Sequence, residues 1–466
     1  MSDIALSIKD LFGAREGNRG IALFIVIPII ISSVSAIALG LFALAIPVII
    51  LLIYLFLKYE IFPIYFFVIS IPLVTLLLNS IYTKYSFAVS ILIIITWLAR
   101  KLLHKNGRIN YSGSILTFFI VFMTITLMSS IHNGFYLREA MFLVRLIIFI
   151  LLILALYDYY RPEHIFWLFF STAIPLIIVA AALLMKYLAA RNLIGWVELY
   201  RAKGGDFGIN VNAFAMGVVI ALCFWLALAI WHPAKKIRNI STLLAAVLSF
   251  CLFLTGARAS ILGFIFTVGL YSYWRKKVKY IIFAVIAVIV VVVSSPVIRT
   301  VLSVAFRSDT NVSGRDVIWK NSLDMIKNNI WLGVGVGNYH RSYFRYIDSK
   351  YWHYELIPPS AHNQILDFMA ELGIAGLPLV LFLFYLPAKC ARRALKVVTN
   401  PADRSVIYGL CGVIVALYIR WIFEGGGMLI RAIPYPAILY WVVLFALLKA
   451  IETKGLKESS IFFPTQ

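Results

Sequence analysis

Runs of about twenty apolar residues, recurring along the chain and separated by short charged segments, constrain this sequence more than any other feature. A helix needs about 20 such residues to cross the hydrocarbon core of a bilayer, where every backbone polar group must be satisfied within the segment. The sequence supplies fourteen candidates, at 21–38, 40–58, 61–80, 82–99, 114–131, 139–157, 164–188, 209–231, 239–256, 258–274, 279–296, 363–388, 405–421 and 432–449. Only Gly40 parts the first pair and the fourth could lie flat, so losing two would leave twelve. A composition of 62% apolar and 13% charged residues excludes a globular enzyme in water, for which about half and about a quarter are usual. The expected fold is an all-α polytopic membrane bundle of 12–14 transmembrane helices. Residues 1–20 are mostly polar and no small-residue cleavage site follows, so the first helix is expected to stay.

The charge then orients the bundle. The chain carries 42 Lys and Arg against 20 Asp and Glu, a net charge of +22. With the N-terminus inside, most basic residues fall on alternate, inner loops: Arg100 to Arg108, Lys235 to Arg238, Arg275 to Lys279 and Lys389 to Arg404. Positive loops stay in the cytoplasm, so both termini are expected there. A surplus divided among short loops is a topology signal rather than a nucleic-acid footprint, and no nucleic acid is expected as a partner. Part of it is expected to touch anionic membrane lipids. Cys223, Cys251, Cys390 and Cys411 lie in or beside apolar segments and offer no disulfide framework or metal pair.

Two outer loops are long enough to carry chemistry, 189–208 and the large one, 297–361. Within the second, Trp319, Leu323 and Ile326 recur at helical spacing, which predicts a short helix over 315–327 at the membrane surface. Gly333, Gly335 and Gly337 follow with no strand leading in, so they are read as a turn and not as a nucleotide fingerprint. Pro358 and Pro359 then hold the chain extended before a long apolar helix; Ser360 can cap it, which puts His362 in its first turn at the outer boundary. There the imidazole can serve as a general base or sit in a head-group belt. Asp367 and Glu371 follow inside the span, where carboxylates are costly, and Arg145 and Arg420 are candidate partners. Arg258 falls at an outer hairpin, and Arg191, Arg201 and Lys203 lie in the shorter loop. Guanidinium groups match phosphate oxygens bidentately, so a lipid-linked phosphate or pyrophosphate would justify arginines on the outer side; ordinary head groups are the alternative.

These pieces, taken in order, resemble the O-antigen ligase and polymerase superfamily of bacterial envelope glycosyltransferases. They are Asn210-Val211-Asn212-Ala213-Phe214-Ala215 opening a span, Thr255-Gly256-Ala257-Arg258 at a hairpin, Ser313-Gly314-Arg315 with Trp319, and His362-Asn363. The last is followed, nine residues on, by Gly373-Ile374-Ala375-Gly376, similar to the ligase signature of a histidine, a small amide and a spaced GxxG. Ala257 stands where Ser is common. The resemblance covers about 189–390, which is read as a catalytic core between N-terminal helices over 1–188 and C-terminal helices with a cytoplasmic tail over 391–466.

The resemblance implies an O-antigen ligase in the bacterial inner membrane, acting on its periplasmic side. Its donor would be a glycan on undecaprenyl pyrophosphate and its acceptor a hydroxyl of lipid A-core, joined by a metal-independent inverting reaction with no cofactor. His362 would accept the hydroxyl's proton; Arg191, Arg201, Arg258, Arg315 and Asn363 would bind the pyrophosphate and glycan. No DxD motif appears, and His132, His340, His353 and His362 show no metal-ligand spacing with carboxylates. O-antigen polymerisation, transfer of glycan to protein hydroxyls, and transport of a lipid-linked glycan remain alternatives. Against a transporter stand the lack of a repeat between the halves and the concentration of polar residues in one outer loop.

Overall fold

A computed structural model describes residues 51–77, 79–103, 111–134, 137–190, 211–255, 257–276, 315–346, 360–424, 435–453 and 460–463. Among these residues there are helices and turns and no strand. In chain order the helices are α1 (Phe62–Leu77), α2 (Asn79–Leu103), α3 (Gly113–His132), α4 (Leu137–Tyr159), α5 (Ile165–Ala190), α6 (Val211–Trp231), α7 (Lys235–Thr255) and α8 (Arg258–Trp274). They continue with α9 (Arg315–Asn328), α10 (Tyr339–Tyr343), α11 (Gln364–Leu372), α12 (Leu377–Val397), α13 (Pro401–Phe423) and α14 (Tyr435–Thr453), while residues 51–58 are also helical. Seven helical segments among the described residues are long and apolar enough to cross a membrane. The chain is thus an all-α polytopic membrane protein. The expected spans at 21–38 and 279–296, and most of that at 40–58, lie outside the described residues.

Helix α6 sits at the centre. It carries no charge, and from Phe214 to Trp225 every residue is buried, as expected of a helix that is apolar all round. It packs against α5, α7, α8, α13 and α14. Association of helices in lipid depends on close packing, and small residues permit it. A Cβ on Gly412 of α13 would lie 1.9 Å from the Tyr271 hydroxyl of α8, and one on Gly263 of α8 would lie 2.6 Å from the Ala416 carbonyl oxygen. The Tyr271 hydroxyl has two carbonyl acceptors, Cys223 O at 2.8 Å and Tyr408 O at 3.2 Å, and Thr267 Oγ1 donates to Gly412 O at 3.0 Å. Polar side chains in the bundle therefore join helices that the glycines bring into contact.

One expected span is broken. The apolar run 363–388 is not a single helix: α11 ends at Leu372, Gly373–Gly376 form a 3-10 turn, and α12 starts at Leu377 with Pro378 in its first turn. Gly373 adopts φ 65° and ψ −157°, a conformation essentially confined to glycine. The N–H groups of Ile374 and Ala375 leave the helical ladder for the carbonyls of Ile330 (2.7 Å) and Trp331 (3.4 Å).

The bundle's two ends differ in their polar groups. At one end Asp158 takes Lys101 at 2.7 Å and the Trp97 indole at 2.9 Å, while Arg100 and Arg161 share Glu60. Buried Asp403, at the start of α13, accepts from Ser460 Oγ and from the N–H groups of Ile461 and Phe462. The other end gathers the residues singled out for chemistry.

Candidate active site

The site begins with a knot of two glycine-rich segments. The turn after α9 has positive φ at Gly333, Gly335 and Gly337, as a turn built on glycines requires. Val334 N–H donates to Ala370 O at 3.0 Å and Gly335 N–H to Glu371 O at 3.1 Å. A Cβ on Gly333 would lie 2.3 Å from the Glu371 backbone, and one on Gly373 would lie 2.4 Å from that of Trp331. Each segment passes where the other's side chain would stand. The knot is tied to the bundle by Ser129 of α3, whose hydroxyl approaches Leu332 O at 2.5 Å, and by Asn133, which donates to Gly333 O at 3.2 Å. Asn338 donates to buried Glu139 at the start of α4.

Helix α9 lies on this knot. Ile318, Met325 and Ile326 pack with Tyr339, Tyr343, Ala361 and Ala370, whereas Leu323 is exposed. The helix that the spacing predicts over 315–327 is present, as Arg315–Asn328. Trp319, at the edge of that face, donates its indole N–H to Ala361 O at 2.9 Å.

The segment before α11 is held from several directions. Asp367 Oδ1 accepts from Ala361 N–H at 2.6 Å, and Ser360 Oγ accepts from His362 N–H at 3.4 Å. Ser360 is not the cap expected of it. Asn363 is, its Oδ1 accepting from the N–H groups of Ile365 (2.9 Å) and Leu366 (3.1 Å), so one of that side chain's polar atoms is engaged in capping. His362 consequently precedes the helix instead of lying in its first turn, and it adopts φ 51°. A non-glycine residue in the left-handed region is strained and persists where its surroundings over-determine it. Arg145 and Arg420 were candidate partners for Asp367 and Glu371. The two carboxylates accept backbone N–H groups, Asp367 from Ala361 and Glu371 from Tyr339 at 3.4 Å, while Arg145 is exposed on α4.

The residue that sequence reading missed is Glu424, one position past α13. Its Oε1 lies 3.1 Å from His362 Nδ1 and accepts from Asn212 Nδ2 of α6 at 3.2 Å. Its Oε2 is paired with Arg315 of α9, which also donates to Phe423 O. The carboxylate is 7% exposed and the imidazole 29%. One turn back, buried Arg420 donates to Ser260 Oγ of α8 at 3.2 Å and to Asn212 O at 2.9 Å. Burial opposes the charge on Glu424, but the hydrogen bond from His362 and the nearby Arg420 and Arg315 outweigh it and hold its carboxyl below the usual carboxylate range. The one sequence signal for Glu424 is a carboxylate between an apolar run and Gly425-Gly426-Gly427.

The structure therefore brings His362, Asn363 and Arg315 together, and Arg258 is exposed at the start of α8, two residues before Ser260. Arg191 and Arg201 lie outside the described residues. The assembly draws on α3, α4 and α6, on the segment from α8 to α11, and on α13, so it uses all three segments into which the chain was divided. Residues 243–381, which include α8 to α11, match a family model described as O-antigen ligase. No curated protein matches the chain.

Proposed function

We propose, from the match of residues 243–381 to a family model described as O-antigen ligase, that the chain is an O-antigen ligase with His362 as its general base. The donor is a glycan on undecaprenyl pyrophosphate and the acceptor a hydroxyl of lipid A-core. The site lies on the periplasmic face of the bacterial inner membrane, a placement supported by the alternation of basic residues along the sequence.

The observation that carries this reading is His362 itself: partly exposed at one end of a membrane bundle, held in a strained conformation, with Nδ1 on a buried carboxylate. In the reaction the acceptor oxygen gives its proton to the ring and attacks the anomeric carbon from the face opposite the leaving group. The bond from that carbon to the pyrophosphate oxygen breaks, its electron pair leaves with undecaprenyl pyrophosphate, and the configuration inverts. General base catalysis contributes about 10²- to 10⁴-fold, and stabilisation of the departing charge is usually a term at least as large. Arg258, together with Arg191 and Arg201, supplies that charge. The amide nitrogen of Asn363 is left for the glycan, because its oxygen caps α11.

Arg258→Ala is expected to reduce turnover of the lipid-linked donor by at least about 10²-fold. Arg258→Lys should recover only part of it, since an ammonium lacks the two-pronged geometry. Single-turnover kinetics with purified protein measure both; wild-type rates in the alanine variant would assign the arginine to ordinary head groups. The activity itself is tested by incubating purified protein with undecaprenyl-pyrophosphate-linked glycan and lipid A-core, with and without EDTA, and resolving the products. Glycan transferred to the core in both arms is the expected result. Donor chains that lengthen without touching the core would make the protein a polymerase, and an unchanged donor would turn the search to protein acceptors or transport.

A further inference from the structure

We propose that Glu424 is the positioning residue of His362, its carboxylate fixing the imidazole with Nδ1 protonated so that Nε2 is the nitrogen that takes the acceptor's proton. This rests on His362 acting as the base.

A neutral imidazole carries one proton on either nitrogen, and the hydrogen bond made by one of them decides which. An oxygen without a proton, 3.1 Å from Nδ1, can only accept, so Nδ1 must donate. The placement of Glu424 makes this assignment firm. Asn212 Nδ2 shares the same oxygen at 3.2 Å, Arg315 occupies the other, and Arg420 holds the Asn212 carbonyl at 2.9 Å. Helix α6, helix α9 and the end of α13 thereby converge on one carboxylate, which the ring of His362 meets from a fourth direction.

The same geometry gives Arg315 a role at the carboxylate. Its Nη1 donates to Phe423 O and its Nη2 to Glu424 Oε2. It serves as the clamp that keeps Glu424 ionised and aimed at the ring. Breaking a carboxylate–histidine pair that sets the tautomer has a large kinetic cost with little change in geometry, as the serine protease triad shows. A carboxylate that only neutralised Arg315 and Arg420 would leave the ring's proton where free imidazole keeps it.

Two readouts separate these roles. Nitrogen-15 spectra of histidine-labelled protein, recorded above the imidazole titration range and with the His362 signals assigned by their loss in His362→Gln, report which ring nitrogen carries the proton. Wild type is expected to show a protonated Nδ1, and Glu424→Ala to lose that preference. Because Ala leaves two arginines facing a void, Glu424→Gln, nearly isosteric, is measured beside it. Both variants should lower kcat in glycan transfer by about 10²-fold or more, with KM for the lipid-linked donor within about threefold of wild type. An unchanged tautomer in Glu424→Ala, or a loss confined to KM, overturns the proposal. A tautomer that shifts in Glu424→Ala while His362→Gln transfers glycan at the wild-type rate upholds the positioning geometry and overturns His362 as the base.

Discussion

His362→Ala is expected to fold, to bind the lipid-linked donor and to transfer glycan about 10²- to 10⁴-fold more slowly than wild type, a barrier increase of about 3–5 kcal/mol. The expectation that it folds comes from what surrounds the ring. Ala361 is held by Asp367 and Trp319, Asn363 caps α11, and Glu424 keeps Arg315 and Asn212 when the imidazole is gone. The strained backbone at position 362 is therefore imposed by its neighbours and survives the substitution. The check is a pair of measurements on one preparation, thermal unfolding in detergent and single-turnover transfer. A midpoint near wild type with transfer lost supports the base; full transfer would remove it. Combining the change with Glu424→Gln should cost little more than His362→Ala alone, because groups that act as a unit lose their effect together.

Gly373→Ala is expected to act on the fold itself. The added Cβ would lie 2.4 Å from the Trp331 backbone, and alanine cannot adopt φ 65° with ψ −157° without strain. Since backbone cannot yield as a flexible side chain can, the two segments must part, at a cost of more than about 4 kcal/mol. Gly337→Ala is the control: its φ is also positive, but the Cβ would meet only the Phe142 ring at 3.4 Å, so a loss of about 1–2 kcal/mol is expected. Thermal unfolding of the two variants should separate them widely. Equal midpoints would mean that the glycine crossing contributes nothing to stability.

Much of this arrangement is legible in the sequence because it is local. Apolar runs mark the helices, the period at Trp319 and Ile326 marks α9, and glycines at 333, 335 and 337 mark a turn. His362 and Arg315 stand out as polar groups beside membrane segments. What escaped reading depends on contacts between distant parts of the chain. Glu424 is 62 residues from the histidine it meets, and no periodicity joins them. The break at Gly373 was hidden because an apolar run has the same composition whether it is one helix or two. Ser360 and Asn363 are both good caps by residue type; the carboxylate of Asp367 takes the Ala361 N–H, and the helix starts only after Asn363.

Helix α13 also works as a rigid arm. Its fulcrum is the contact of Gly412 with Tyr271, deep in the bundle, and its tip is Glu424. At about 1.5 Å per residue the arm is about 18 Å long. A tilt of about 3° at the fulcrum would swing the tip by roughly 1 Å, enough to break a hydrogen bond whose useful range is about half an ångström. Any larger side chain at position 412 would thus be felt at the far end of the helix, as a histidine released from its carboxylate by leverage alone.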